Sequence, residues 1–171
     1  SLGAKVEFGE PRFTDEHSVR LNGSSYSAKT WVLATGSSPI APPIKGLDKT
    51  PFITNREIFY LDHLPKSMII LGGGPIGSEM SQAFNRLGTK VSVVDMAPQI
   101  LLREDDDMSA ILSEVLRSEG VDLHLNSTIE EVNDLGNERE VKIKGKDGNI
   151  TSLRAEEILV ALGRRANVQD L

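Results

Sequence analysis

Three glycines at a fixed spacing are the residues of this chain best suited to chemistry. Gly72, Gly74 and Gly77 stand in the pattern G-x-G-x-x-G. Where a strand turns into a helix, the first glycine permits a sharp turn, the second lets the backbone approach a pyrophosphate, and the third lets the helix pack closely on the strand. Free N–H groups and the positive end of the helix dipole then attract the anion. The spacing therefore predicts a dinucleotide-binding turn.

The flanking sequence supplies the strand and the helix that such a turn requires. Residues 68–71 are apolar and indicate a buried strand. Apolar side chains then recur at helical spacing, Pro75 suits the first helical turn, and Gly88 suits the C-terminal cap. A glycine-rich turn can serve packing alone, but this context favours nucleotide binding. The residues predicted to contact the dinucleotide here are Gly72, Gly73, Gly74, Pro75, Ile76 and Gly77.

Asp95 supplies the carboxylate that would choose between the two nicotinamide dinucleotides. It ends the apolar run 91–95, near the roughly 20-residue offset expected for the acid that binds the adenosine ribose. Its oxygens can accept hydrogen bonds from both ribose hydroxyls but would repel a 2′-phosphate of about −1.5 to −2 charges. Residues 96–102 contain no arginine or lysine, so we predict NAD(H) rather than NADP(H). The alternative is that Asp95 only begins a turn.

Composition narrows the class of protein. The chain has 171 residues, 39% of them hydrophobic and 26% charged, as is ordinary for a globular protein. The formal net charge of −6 argues against a nucleic-acid-binding surface. The apolar runs are too short to span a membrane and no signal peptide is evident, so we predict a cytoplasmic protein without a membrane partner. With no cysteine, the chain alone can form neither a disulfide nor a thiolate metal site nor a redox thiol pair.

Apolar runs elsewhere predict the sheets that position these residues. Short strands are predicted early in the chain, at residues 5–8, 18–21 and 30–34. Four parallel strands are predicted at residues 68–71, 91–95, 121–125 and 158–162. Because ligands bind at the carboxyl ends of parallel strands, Gly72, Asp95 and Gly163 are expected to share one edge. Between residues 128 and 153, three short strands joined by hairpin turns predict a meander.

A second helix is predicted after the acidic run at residues 105–107. These carboxylates complement the positive end of a helix dipole, and Gly120 suits the end of the helix. Its predicted apolar face consists of Met108, Ile111, Leu112, Val115 and Leu116. The acidic run could also hold a metal ion, but consecutive carboxylates before a helical pattern are more typical of a solvated helix start. We therefore predict no metal site.

The order of the motifs resembles the pyridine nucleotide-disulfide oxidoreductases, the family of dihydrolipoamide dehydrogenase, mercuric reductase and glutathione reductase. The resemblance rests on residues 34–39, Ala-Thr-Gly-Ser-Ser-Pro, on the glycine turn with Glu79, and on residues 162–167, Leu-Gly-Arg-Arg-Ala-Asn. It implies an α/β, Rossmann-like FAD/NAD(P)-binding fold. In that fold a parallel sheet has helices on one face and a three-stranded β-meander on the other, as three ββα layers. The residues that depart from the family pattern are Pro75, Ser81 and Ala166.

The resemblance implies hydride transfer from a reduced nicotinamide to the N5 atom of FAD and then to a cysteine pair. The family's first G-x-G-x-x-G, its C-x4-C and its C-terminal dimerisation domain are absent from these 171 residues. We therefore expect a piece of a longer enzyme that binds NADH but catalyses nothing alone, with the missing FAD and dimerisation domains as its partners. The expected division is residues 1–46 as trailing strands of the FAD-binding domain, 47–160 as the NAD-binding domain, and 161–171 as the return to the FAD domain.

The resemblance also assigns residues to the two cofactors. Glu79 corresponds to the family glutamate near the nicotinamide, and Gly163 to a glycine whose backbone touches the nicotinamide end. Ile129 would lie against the adenine through its backbone. The residues that would face FAD in the intact enzyme are Thr35, Gly36 and Ser37. No catalytic residue is assigned within the chain.

Two alternative enzyme classes fail on their own motifs. A short-chain dehydrogenase needs Tyr-x-x-x-Lys, but Tyr26 and Tyr60 are followed at that spacing by Thr30 and Leu64. A P-loop nucleotidase needs lysine directly after the last glycine, where Ser78 stands. The alternatives that remain are a binding-only module that senses NADH and, within the family, a relative of NADH oxidase or ferredoxin reductase. The sequence does not separate a dihydrolipoamide dehydrogenase from a mercuric-reductase-like protein.

Overall fold

The computed structural model describes residues 3–169 and 171. The chain forms two compact units, one made of residues 1–38 and 165–171 and the other of residues 39–164. All residues predicted to bind NAD(H) lie in the second unit, whereas the three predicted to face FAD lie in the first. The division into FAD-binding and NAD-binding segments stays a prediction.

The first unit contains a small antiparallel sheet. Its strands, in spatial order, are β1 (Arg12–Asp15), β2 (Ser18–Leu21) and β3 (Ser24–Ser27), and β4 (Ser37–Pro39) follows them in the chain. Asn22 and Gly23 form the turn between β2 and β3 with φ angles of 50° and 81°. An Asn-Gly pair favours such a two-residue hairpin because both residues tolerate positive φ.

Two of the strands predicted in this unit are wrong. Residues 5–8 and 30–34 form no strand, and β1 and β3 occupy other positions. Val32 and Leu33 are 86% and 56% exposed. The apolar pattern of residues 30–34 suits a strand, but a strand also needs the free edge of another strand to pair with. Among the described residues, no strand pairs with this segment.

The elements from residue 40 onward form the second unit and the last short strand. In chain order they are β5 (Ser67–Leu71), α1 (Pro75–Leu87), β6 (Lys90–Val94), α2 (Asp106–Ser118), β7 (Asp122–His124), β8 (Thr128–Asp134), β9 (Arg139–Lys144), β10 (Ile150–Ala155), β11 (Glu157–Val160) and β12 (Arg164–Ala166). Short 3₁₀ turns lie at Leu47–Lys49 and Glu57–Tyr60. β12 pairs with β4.

A parallel sheet in the order β11-β5-β6-β7 forms the centre of the second unit. Its strands differ from the predicted ones by one or two residues at their ends. β8, β9 and β10 form the predicted antiparallel meander in sequential order. The α/β, Rossmann-like fold class is therefore confirmed.

Alternate residues of β5 face two different cores. Ile69 and Leu71 are buried with Val141 of the meander. Met68 and Ile70 are buried on the other face, with Leu116 of α2. Because successive side chains of a strand point to opposite faces, one apolar run can bury both faces of the sheet. The unit is thus layered as helices, parallel sheet and meander.

The two helices approach the sheet through small residues. α1 buries Gly77, Ser78 and Ser81, and α2 buries Ser109, Ser113 and Leu116. The buried serines are tolerated because their hydroxyl groups donate to backbone carbonyls, as Ser113 Oγ does to Ser109 O at 2.7 Å.

The predicted apolar face of α2 is only partly correct. Leu116 is fully buried and Leu112 packs against the same core. Met108 and Ile111 are 54% and 56% exposed, and Val115 is 36% exposed. The helix is therefore rotated so that its serines, rather than its full apolar stripe, face the sheet.

Among the described residues, no helix is both long enough and apolar enough to cross a membrane.

Candidate dinucleotide-binding site

The chain segments that leave β5, β6 and β11 meet at one edge of the parallel sheet. The Gly72 N–H donates to Val94 O at 2.8 Å, and the Ala161 N–H donates to Leu71 O at 2.8 Å. Asp95 follows β6 directly. The structure thus brings Gly72 and Asp95 together at the edge where the strand pattern predicted them, and their roles toward a ligand stay a prediction.

Gly72 and Gly77 are required by the packing of the turn itself. Gly72 has a φ of 107°, and a β-carbon there would lie 2.5 Å from Ala161 O. A β-carbon on Gly77 would overlap the carbonyl oxygen of Gly72 and also approach the Ile70 side chain at 3.4 Å. Neither position has room for a side chain: Gly72 permits the close approach of the segment after β11, and Gly77 permits the close contact of α1 with β5.

Gly74 differs from the other two because it borders open space. A β-carbon there would meet no atom within 4 Å. Gly74 is the N-cap of α1, no side chain among the described residues caps this end, and Pro75 occupies the first turn. The first amides of a helix lack partners within the helix. An anion could therefore approach the backbone here, which is the fit that a pyrophosphate requires.

The Asp95 carboxylate binds the glycine turn. Its Oδ2 accepts the Gly73 N–H at 2.6 Å and its Oδ1 accepts the Ala97 N–H at 2.8 Å. The bond from Ala97 closes a local turn, as the alternative interpretation of Asp95 expects. The bond from Gly73 connects Asp95 to the glycine motif. A carboxylate has about four lone-pair sites. Two acceptor positions therefore remain for the hydroxyl groups of a ribose.

The Gly73 carbonyl is also engaged. It accepts the Leu101 N–H at 2.8 Å and the Ser78 hydroxyl at 3.2 Å. Leu101 has a φ of 51°, which leucine rarely adopts. No sequence pattern predicted this arrangement. Pro98 indicates a loop, but no local signal in the sequence reveals which backbone groups that loop would bind.

Three further residues assigned to NAD(H) are Ile129, Glu79 and Gly163, whose roles toward a ligand stay a prediction. Ile129 lies in β8 opposite Ile143, and its side chain packs against the meander-side core. The start of β8 is tied to Asp95, because the Ser127 N–H donates to Asp95 O at 3.0 Å. Glu79 is exposed on α1. Gly163 has a φ of 131°, and a β-carbon there would meet nothing within 4 Å.

The three residues assigned to FAD lie in the segment that leads into β4, and Asn167 binds this segment. The Asn167 side-chain amide donates to Thr35 O at 3.1 Å, and its backbone N–H donates to Gly36 O at 3.0 Å. Its Oδ1 accepts the Ser38 hydroxyl at 2.8 Å. Ser37 begins β4. In the sequence, Asn167 is only the last residue of the motif 162–167, and no pattern predicts its contacts.

No group of three or more histidine, aspartate or glutamate side chains that could hold a metal ion occurs in the described part of the chain. The acidic residues 105–107 are all exposed at the start of α2. The geometry at the glycine turn instead suits an anion and a sugar: free space and amides at a helix start, next to a carboxylate with unused acceptor positions.

Comparisons with known proteins point to one family. The sequence profile of a family described as pyridine nucleotide-disulphide oxidoreductase matches residues 1–171. The chain is 32% identical to a mercuric reductase of Lysinibacillus sphaericus, over 95% of the chain and 30% of that protein. It is 33% identical to a dihydrolipoyl dehydrogenase of Acholeplasma laidlawii, over 96% of the chain and 48% of that protein.

A solved structure is consistent with the same family. The HOCl-induced flavoprotein disulfide reductase RclA from Escherichia coli superposes with a TM-score of 0.77 at 31% sequence identity, over 95% of this chain and 37% of that one. The chain therefore spans between about a third and a half of the length of these relatives.

Proposed function

The chain belongs to the pyridine nucleotide-disulphide oxidoreductases, and we propose that it is the NAD(H)-binding part of a flavin-dependent member of that family. The observation that carries the proposal is Gly74, a motif glycine that borders open space at an uncapped helix start. A glycine needed only for packing would face protein atoms, as Gly72 and Gly77 do. Free space at the middle glycine supports a ligand whose pyrophosphate approaches the backbone.

The residues around the turn would bind the two halves of NAD(H) in different ways. The amides at the start of α1 would hold the pyrophosphate, aided by the helix dipole. The two unused acceptor positions of Asp95 would bind the adenosine ribose. A 2′-phosphate at that point would meet the Asp95 charge, and residues 96–102 supply no cation to offset it. We therefore infer a preference for NADH over NADPH.

In the longer enzyme, hydride would pass from NADH to FAD and on to a redox disulfide. Bound FAD would supply the hydride acceptor. Within this chain, Thr35, Gly36 and Ser37 would border the flavin nucleotide, on the segment that Asn167 binds. Glu79 and Gly163 would lie toward the nicotinamide, and Ile129 toward the adenine. The chain contains no cysteine, so the disulfide would come from another part of the longer protein.

The same proposal assigns the segments and the partners. Residues 1–46 and 161–171 would belong with the FAD-binding domain, and residues 47–160 would form the NAD-binding domain. The partners would be the nucleotide and the FAD and dimerisation domains of the longer chain, in the cytoplasm. The mercuric reductase and the dihydrolipoyl dehydrogenase match at 32% and 33% identity. These similar values do not indicate which of the two enzymes the longer protein resembles in its electron acceptor.

Calorimetric titration of the chain with NADH and with NADPH tests the proposal. We expect NADH to bind and NADPH to bind at least about tenfold more weakly, because the Asp95 carboxylate opposes the extra phosphate. Gly74→Ala should weaken NADH binding by about tenfold or more, since the new methyl group fills the space that the pyrophosphate needs.

The matched control is Asp105→Ala. It changes the N-cap of the other helix, where the Asp105 side chain makes no capping hydrogen bond. We expect NADH affinity to be unchanged in this variant. Absence of NADH binding to the unmodified chain, or equal binding by Gly74→Ala, would contradict the proposed site. Tighter binding of NADPH would show that the role of Asp95 is wrong.

A further inference from the structure

The backbone N–H and the carbonyl of Gly73 are both hydrogen-bonded by a loop that follows β6. Its N–H donates to Asp95 Oδ2 at 2.6 Å, the shortest bond of the turn. Its carbonyl accepts the Leu101 N–H at 2.8 Å. Both partners lie in the segment 95–101, so a single loop holds both polar groups of one residue. A β-carbon on Gly73 would also approach Ile100 Cγ2 at 3.0 Å, which shows how closely the loop covers this residue.

Leu101 donates its N–H to Gly73 O from an unfavourable backbone conformation. Its φ of 51° is in the left-handed region, which is unfavourable for a residue with a β-carbon. The surrounding contacts hold it there. Leu101 O accepts the Glu104 N–H at 2.8 Å and the Ser109 hydroxyl at 3.3 Å. Its side chain packs on the helix-side core. A residue keeps a strained backbone conformation only when many surrounding contacts hold it there, and such residues cluster at functional sites.

We propose that residues 95–101 form a clamp that sets the shape of the phosphate-binding turn before a nucleotide arrives. Asp95 and Leu101 are then positioning residues that act through Gly73 on the open backbone at Gly74. This inference rests on the proposed function and adds a second role for Asp95 beside its contact with the ribose. A turn that already has its bound conformation binds a nucleotide more tightly, because binding then involves no loss of free energy from ordering the turn.

The clamp has a consequence for cofactor choice. Asp95 can accept two amide N–H groups because both of its side-chain oxygens are acceptors. Asparagine has one oxygen and one NH₂ group, so Asp95→Asn can keep only one of the two bonds, to Gly73 or to Ala97. Removing the charge at position 95 therefore loosens the turn as well as relieving the repulsion of a 2′-phosphate. We expect Asp95→Asn to lose affinity for NADH without a matching gain for NADPH.

Amide hydrogen exchange in the absence of nucleotide tests the clamp directly. By NMR, the Gly73 N–H should exchange about tenfold or more faster in Asp95→Asn than in the unmodified chain, because its acceptor is weakened. The matched control, Asp62→Asn, makes the same charge change at an exposed aspartate before β5 and should leave Gly73 unchanged. An unchanged Gly73 exchange rate in Asp95→Asn would overturn the clamp, whatever the chain does with NADH.

Inorganic pyrophosphate separates the clamp from the ribose contact, because it has no ribose. Its binding can be followed through the NMR shifts of Gly74, Ile76 and Gly77. Loss of a negative charge at Asp95 should by itself strengthen anion binding. The clamp predicts the opposite sign, with binding to Asp95→Asn weaker by about threefold or more. Stronger binding would overturn it.

A pair of variants at Leu101 tests the other side of the clamp without touching the ribose. Leu101→Ala and Leu101→Gly both remove the side chain and keep the N–H, but only glycine adopts the left-handed conformation without cost. We expect Leu101→Gly to bind NADH about threefold to tenfold more tightly than Leu101→Ala. Equal affinities, or tighter binding by Leu101→Ala, would contradict a role for the Leu101 conformation.

Discussion

The three motif glycines have different roles, although the sequence pattern treats them alike. Gly72 and Gly77 have protein backbone where a β-carbon would stand, whereas Gly74 has free space. The distinction separates the glycines that build the turn from the one that would meet the ligand. It also predicts that alanine at these positions affects different properties of the chain.

Gly77→Ala should lower the free energy of unfolding by about 1–3 kcal/mol, because the methyl group overlaps Gly72 O and α1 must move away from β5. Gly74→Ala is the control for stability. Its φ of −72° suits alanine and its β-carbon is unobstructed, so we expect a change of less than about 0.5 kcal/mol. Urea denaturation of both variants measures the difference, and a Gly77→Ala variant as stable as the unmodified chain would show that the close contact of β5 and α1 is not required.

At the scale of secondary-structure elements, α2 shows why an apolar stripe need not mark the buried face. The helix buries Ser109, Ser113 and Leu116. Small residues let the helix axis come close to the sheet, and their hydroxyl groups are satisfied by backbone carbonyls, Leu101 O for Ser109 and Ser109 O for Ser113. The apolar residues on the neighbouring stripe, Met108 and Ile111, then remain more than half exposed.

Leu116→Ala should destabilise the chain by about 2–5 kcal/mol, because Leu116 is fully buried in the helix-side core and its loss leaves a cavity. Ile111→Ala is the matched control on the same helix. Ile111 is 56% exposed, and alanine has the higher helix propensity, so we expect a change of less than about 0.5 kcal/mol. Thermal and urea unfolding would compare them. Similar losses in the two variants would contradict the orientation of α2.

Residues 45–47, near the start of the second unit, are held against the meander by close backbone contact and by an ion pair. The Val132 N–H donates to Lys45 O at 2.9 Å. A β-carbon on Gly46, which has a φ of 81°, would overlap Val132 O. Leu47 is buried in the meander-side core. Glu131 adds ion pairs to Lys142 and Lys45, with N–O distances of 2.8 and 2.7 Å.

Glu131 should make the stability of the second unit fall in acid. Hydrogen bonds from Lys142 and Lys45 lower the pKa of this carboxyl from 4.5 to about 2 in the folded chain. A depressed folded pKa stabilises the protein fully above the unfolded value, and this contribution is lost as pH falls from about 4.5 to about 2. Glu131→Gln should therefore show a shallower decline of unfolding midpoint over that range. The contribution is modest because Glu131 is 21% exposed and Lys45 is 76% exposed.

Glu138→Gln is the control for this pH dependence, since Glu138 is an exposed glutamate in the turn between β8 and β9. It should follow the unmodified chain throughout the acid titration. A Glu131→Gln variant that declines as steeply as the unmodified chain would show that the ion pairs add nothing to stability.

At the scale of the whole molecule, the chain consists of two compact units that differ in their regular structure. The second unit has a layered core around a four-stranded parallel sheet. In the first, residues 28–36 form neither helix nor strand, and Val32 and Leu33 are exposed. Exposed backbone without regular hydrogen bonds is the preferred substrate of proteases.

Limited proteolysis should therefore cut within residues 28–36 before it cuts the parallel sheet of the second unit. We expect trypsin to cleave after Lys29 and chymotrypsin after Trp31 or Leu33, before either cleaves within the strands of the parallel sheet or within α1 and α2, because those elements must unfold locally to fit a protease. Mass spectrometry identifies the products. Lys29→Gln should slow the tryptic cut but not the chymotryptic one. A first cut inside the parallel sheet would contradict this order of local stability.

Much of the second unit could be predicted from sequence because its signals are local. The apolar runs 68–71 and 158–162 predicted buried strands, and the hairpin turns predicted the meander, with errors of only a few residues at element ends. The first unit was harder to predict. Residues 30–34 have the composition of a strand, but the partner edge that decides strand formation cannot be inferred from the segment itself.

The sequence by itself determined the family, the α/β class and the positions of the glycine turn and of Asp95, since each depends on residue types at fixed spacings. Only the tertiary structure decided which glycine faces open space, which stripe of α2 is buried, and that Asp95 and Leu101 bind the N–H and the carbonyl of Gly73. These features depend on hydrogen bonds and contacts between residues far apart in the chain, and on backbone angles that residue type does not specify. They become defined only when the loop after β6 packs against the turn after β5.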